Sequence, residues 1–252
     1  MGDAFDTARR KLSWAEKRLD ELNAELADFR HRNPYKKVIE LHPDLPRHTV
    51  HKVIPSEPIP DSTIDLTTEV VGALRTALDS AVFDIALCSG VIDPRNAAFP
   101  FAGTIGEMAG ALGRCKDIPE PIKSLMCGFA PYRGGNETLW ALNKLCNTDK
   151  HRILQPFATG AVRTGIAMKG AGFFSMPDPH KWDSSKNEMV LIELGPDAIY
   201  DYEVHVSLYI VFGKIEGLEG FNVTNSLFRM GQAVHIVVNA IEAECRRLGY
   251  IK

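Results

Sequence analysis

An α+β fold is what this sequence predicts, and three observations carry that reading. Apolar residues recur at alternating steps of three and four near both ends of the chain. They fall at Phe5, Ala8, Leu12, Ala15, Leu19, Leu22, Leu26 and Phe29, and again at Leu227, Met230, Val234, Val237 or Val238, Ile241, Cys245 and Leu248. That spacing lays an apolar stripe along an α-helix. Runs of β-branched and aromatic residues with period two occupy residues 36–54 and 158–212 instead, as half-buried strands require. Two further helical patterns separate them. The expected arrangement is a single domain, 1–252, with principal helices at about 3–33, 62–88, 137–152 and 225–248. The long terminal helices pair, and an antiparallel sheet packs on one side or end of the helical core.

The first helix should stop at Asn33-Pro34, since the residue before proline is pushed out of the helical region. Its narrow seam, flanked by Arg18, Asp20, Glu21 and Glu25, favours an intramolecular helix pair; a homodimer through this helix is the lesser alternative. KKVIELH and RHTVHKVI surround His-Pro-Asp-Leu-Pro and predict a hairpin. His48 and His51 lie three apart on a strand and so face opposite sides, which argues against a shared metal.

The second helix follows Pro60, with Ser62 and Asp65 spaced as a capping box. Leu66, Val70, Leu74, Ala77, Leu78, Ala81 and Ile85 form its apolar arc, with Arg75 and Asp79 four apart at the margin. Residues 91–135 are rich in glycine and proline, with short helical pieces near 105–112 and 121–127, and predict a loop-rich cover. Strands are expected at 158–168, 189–194 and 203–212, with a loop, PDPHKWDSSKN, between the first two. GAGFF lacks the spacing of a nucleotide-binding loop.

The segment 139–154, LWALNKLCNTDKHRIL, is where helical periodicity and polar chemistry collide. At about 100° per residue, Asn143, Asn147 and Lys150 project into the arc of Leu139, Trp140, Leu142, Cys146, Ile153 and Leu154, with Asp149 and His151 at its edges. Buried polar groups need partners, and the partner expected for Lys150 is Asp79 of the second helix. One reading is a structural polar network of Asn143 and Asn147, extended by His235 and Asn239 on the last helix. Another makes Asp149, Lys150, His151 and Arg152 a catalytic or ligand site together with Arg75 and Asp79, and a third ends the helix before Asp149 and leaves DKHR as an exposed charged turn.

With 29 basic and 32 acidic residues, overall charge gives no drive toward RNA, so RNA binding would need a local basic patch. Five cysteines without a CxxC pair fit reduced thiols in a cytoplasmic protein. No apolar run reaches the length of a membrane span, and neither a metal nor a cofactor site is indicated.

The LRTALD segment at 74–79, FP at 99–100, PY at 131–132 and the block LWALNKLCNTDKHRIL resemble a family of uncharacterised bacterial proteins that carry LR-x-ALDH and L-x-x-L-x-x-x-DKHR segments. Within that family the first segment is similar to the arginine and histidine motif of HEPN-type ribonucleases, metal-independent helical bundles that cleave RNA across a dimer. This resemblance implies a hydrolase using Arg75. Here Ser80 stands five places after Arg75, where those proteins carry histidine, so His151 would have to act from another helix. Two functions are therefore expected from the sequence. The first is an intracellular binding or interaction protein organised by the DKHR segment. The second is a ribonuclease or other hydrolase using His151 with Arg75, Lys150 and Arg152, oriented by Asp79 or Asp149.

Overall fold

A computed structural model describes residues 4–148, 154–161, 173–176, 182–183, 185–196, 198, 205–213 and 215–251. In order, the elements are α1 (Asp6–His31), β1 (Tyr35–Leu41), β2 (Thr49–Pro55), α2 (Asp61–Cys88), α3 (Ile105–Arg114), α4 (Glu120–Gly128), α5 (Glu137–Cys146), β3 (Leu154–Ala161), β4 (Phe174–Ser175), β5 (Met189–Leu194), β6 (His205–Phe212) and α6 (Val223–Arg247). The fold is α+β. Where the sequence suggests one domain, the contacts group into two compact units. One comprises residues 1–24, 61–153 and 212–252, and the other comprises 25–60 and 154–211.

The helical unit is built around α2. Ala77, Leu78, Ala81, Val82, Ile85 and Ala86 on it are all fully buried, and α5 and α6 both pack against it. Its alanines let neighbouring backbones approach while Leu74, Leu78 and Ile85 fill the volume between them, as dense interior packing demands. The centre of this unit is therefore α2, and α5 is one of its partners.

The two terminal seams meet as expected. Arg9 Nη2 donates to Glu242 Oε1 at 2.6 Å, and Glu16 Oε1 lies 2.8 Å from His235 Nε2. These bridges sit seven residues apart on each helix and run in opposite senses, so α1 and α6 are antiparallel neighbours over two turns. Phe5, Ala8, Leu12, Ala15 and Leu22 are buried, and so are Leu227, Met230, Val234, Val237, Val238 and Ile241. Asn222 caps α6 by accepting from Asn225 N at 3.0 Å, and Asn136 caps α5 from Leu139 N at 3.1 Å.

The helix expected to run to about 152 ends at Cys146, with Asn147 as its C-cap. Leu154, expected on its apolar arc, begins β3 instead. The Asn147 side chain turns back and donates to Asn143 O at 2.8 Å, which satisfies a carbonyl at the helix end. Asp149, Lys150, His151 and Arg152 lie outside the described residues, as does the pairing of Lys150 with Asp79 that the sequence suggests.

In the second unit β1, β2, β5 and β4 form an antiparallel sheet in that order, while β3 and β6 pair separately. The predicted hairpin is present, with Val38 opposite Lys52 and Ile39 opposite His51. A register shift falls between His51 and Lys52 where β2 meets β5. His51 is buried and bonded to the Thr49 hydroxyl at 3.3 Å. His48 lies outside β2, with its ring edge-on to Phe173. Lys52 bridges Glu40 at 2.6 Å and Glu188 at 2.7 Å. β4, only two residues long, has no periodicity for a sequence reading to detect.

Candidate anion-binding cleft

One turn of α2 places Arg75 and Asp79 on the same side of the helix, and the guanidinium Nε donates to Asp79 Oδ2 at 3.1 Å. The same guanidinium reaches α5, where Nη1 donates to Asn143 Oδ1 at 2.5 Å. Its planar face lies over the Phe101 ring, 4.2 Å from the centroid. Phe101 is held edge-on against Phe99 at 5.0 Å. Phe99 is fixed in turn by its own N–H, which donates to the other Asp79 oxygen at 2.9 Å. Asp79 thus ties the 97–101 loop to α2 with one oxygen and orients Arg75 with the other. The arginine is a cation held on three sides, with only a quarter of its side chain exposed.

Around it opens a cleft of about 420 Å³. Arg75 and Asn143 line one part, the 95–101 loop another, and Ala111, Arg114 and Cys115 at the end of α3 a third. The loop is anchored by Asp117, whose Oδ2 accepts from the backbone N–H groups of Arg95 and Asn96 at 2.9 and 2.7 Å. Arg95 pairs with Asp93 at 2.8 Å and is 82% exposed. Arg114 is exposed and has no ion-pair partner among the described residues. Among the described residues the lining therefore carries three guanidinium groups and no carboxylate of its own, with Asp79 and Asp93 behind two of the three.

Among the described residues Cys115 is the one nucleophilic side chain in the lining. Its thiol is buried, donates to Ala98 O at 3.3 Å, and is pushed above its ordinary pKa by that burial. Such a thiol stays protonated and unreactive near neutral pH. Among the described residues no histidine lines the cleft, and the described wall offers hydrogen-bond donors and positive charge.

Of the residues expected at a functional site, Arg75, Asp79 and Asn143 are brought together, and the DKHR residues lie outside the described part. The proposed polar network divides. Asn143 is joined to Arg75, Asn147 is exposed at the end of α5, His235 turns to Glu16 of α1, and Asn239 is exposed. A single buried network does not form, because α5 ends before its polar face is complete and the seam of α6 turns His235 toward α1. Arg95, Asn96 and Arg114, which the sequence reading left within a loop-rich cover, join Arg75. The signal that could have found them was the FP pair at 99–100, which holds the loop against α2.

Among the described residues no group of three or more His, Cys, Asp or Glu side chains could hold a metal ion, and no helix is long and apolar enough to cross a membrane. Comparison with protein-family models, curated proteins and solved structures finds no match.

Proposed function

We propose that this is a binding protein whose helical unit recognises a small anionic ligand, one bearing a phosphate or carboxylate, in the cleft beside Arg75. The observation that carries this reading is the convergence of Arg75, Arg95 and Arg114 on one cleft, with Arg75 pre-oriented by Asp79, Asn143 and Phe101. Arginine presents several N–H donors in a rigid plane and matches carboxylate and phosphate oxygens in pairs. Two of the five N–H groups of Arg75 are used by Asp79 and Asn143, which leaves donors for a ligand while the cation stays in place. Because the side chain is already fixed, binding costs little further ordering.

Titration calorimetry of the full chain with inorganic phosphate, adenosine monophosphate and citrate at low ionic strength tests this. Saturable binding of at least one of these is expected. It should weaken as salt is raised and fall at least tenfold in Arg75→Met and in Arg114→Ala. Absence of binding to all three, or binding indifferent to both substitutions, overturns the reading. Cleavage of RNA by the wild type that is lost in His151→Ala would replace it with the hydrolase.

A further inference from the structure

The sheet unit contains a separate cavity of about 210 Å³, small beside the usual drug-sized site. Its walls include the aromatic rings of Phe29, Tyr35 and Trp182, backed by prolines, and among the described residues its only charged lining residue is Glu57. Phe29 and Trp182 are buried, so these rings are held in place before any ligand arrives. We propose that this cavity is an aromatic cage for a methylated ammonium group, such as that of choline or a trimethylated amine.

Two observations point to a cation. The faces of aromatic rings carry negative potential, and enclosed rings attract positive charge most strongly where water is excluded. The protein already shows this preference at the edge of the cavity. Arg32 lies over the Phe29 ring, 5.6 Å from its centroid, and pairs with Glu57 at 3.3 Å, so ring and carboxylate act on one cation together. Arg32 itself is not part of the described lining, and the cavity beside it is bounded by the same ring and the same carboxylate.

The walls also select the kind of cation. A primary ammonium brings three N–H donors that need acceptors when buried, and the acceptor side chains of the described wall are Glu57, Asn187 and the Tyr35 hydroxyl, among rings, prolines and Ile59. A quaternary ammonium brings charge with no donor to satisfy, and its methyl groups suit an apolar surface. The rings then supply the close contact, and Glu57 supplies a carboxylate that the ligand shares with Arg32.

The test compares choline with 3,3-dimethylbutanol, its neutral isostere of the same shape, using the full chain and ligand-observed NMR. Choline should bind saturably and at least tenfold more tightly than the isostere. Glu57→Gln should weaken choline severalfold while leaving the isostere unchanged, and Trp182→Leu should abolish choline binding. Equal binding of the two compounds, no choline binding at millimolar concentration, or indifference to Glu57→Gln overturns the proposal. The isostere comparison uses only the wild type, so it decides the matter even if Trp182→Leu fails to fold.

Discussion

Arg75 joins α2, α5 and the 97–101 loop, and its removal should be measurable in the fold as well as in ligand binding. In Arg75→Met the aliphatic stem is largely retained and three interactions are lost. The hydrogen bond to Asn143 is charged and partly buried, worth roughly 1.5 kcal/mol at the lower end of its range because a quarter of the side chain remains exposed. Stacking on Phe101 contributes roughly 0.5–1 kcal/mol at such a site. The pair with Asp79, four residues along one helix, adds about 0.3–0.5 kcal/mol. Together these predict a loss of about 2–3 kcal/mol. A double-mutant cycle isolates the largest part: Arg75→Met and Asn143→Ala, alone and combined, should show a coupling of about 1–1.5 kcal/mol in urea unfolding. Arg75→Lys should recover little, since one ammonium cannot serve Asp79 and Asn143 and also lie flat on the ring. Strictly additive penalties, or a loss below about 0.5 kcal/mol in Arg75→Met, would show that the guanidinium does not join α2 to α5, and would remove the pre-orientation on which the anion-binding proposal depends.

Two further outcomes follow from other parts of the molecule. Gly217 has φ of +80°, and a Cβ there would lie 2.6 Å from Cζ3 of Trp140, so Gly217→Ala combines left-handed strain of about 1–2 kcal/mol with overpacking of about 1–3 kcal/mol; equilibrium denaturation should show a loss above about 2 kcal/mol, and a change under 1 kcal/mol would contradict the packing. The His51 ring is fully buried, and that burial, reinforced by Lys37, lowers its pKa to about 4. The unfolded chain takes up this proton near pH 6.5. Stability should therefore be complete above about pH 6.5 and decline as pH falls toward 4, by up to about 3 kcal/mol. Urea midpoints at pH 7 and 4.5 should converge in His51→Gln, and an unchanged pH dependence in that variant would refute the assignment.

The three-four spacing of residues 5–29 and 227–248 determined by itself that the ends of the chain form long amphipathic helices, because burial of a helix repeats with the period of the helix. The period-two runs determined the β1–β2 hairpin and β5 in the same way. Local chemistry also placed α3 and α4, whose helical patterns stand between glycine and proline breaks. What only the tertiary structure decided is which residues meet across the chain. Nothing in the spacing of residues 139–148 distinguishes a helix ending at Cys146 from a longer one, since that depends on where Asn147 finds a carbonyl. Nor could local pattern select α2 as the centre, because a helix with one apolar arc and a helix enclosed by neighbours differ in what surrounds them. The site shows this most clearly. Arg75 and Asp79 were legible as a pair four apart, yet Arg95 in a loop and Arg114 at the end of α3 are exposed charges with no periodic signature. They become parts of one cleft only when Asp79 and Asp117 pin the intervening loop through its amide groups, a contact set by distance in space and invisible to spacing in sequence.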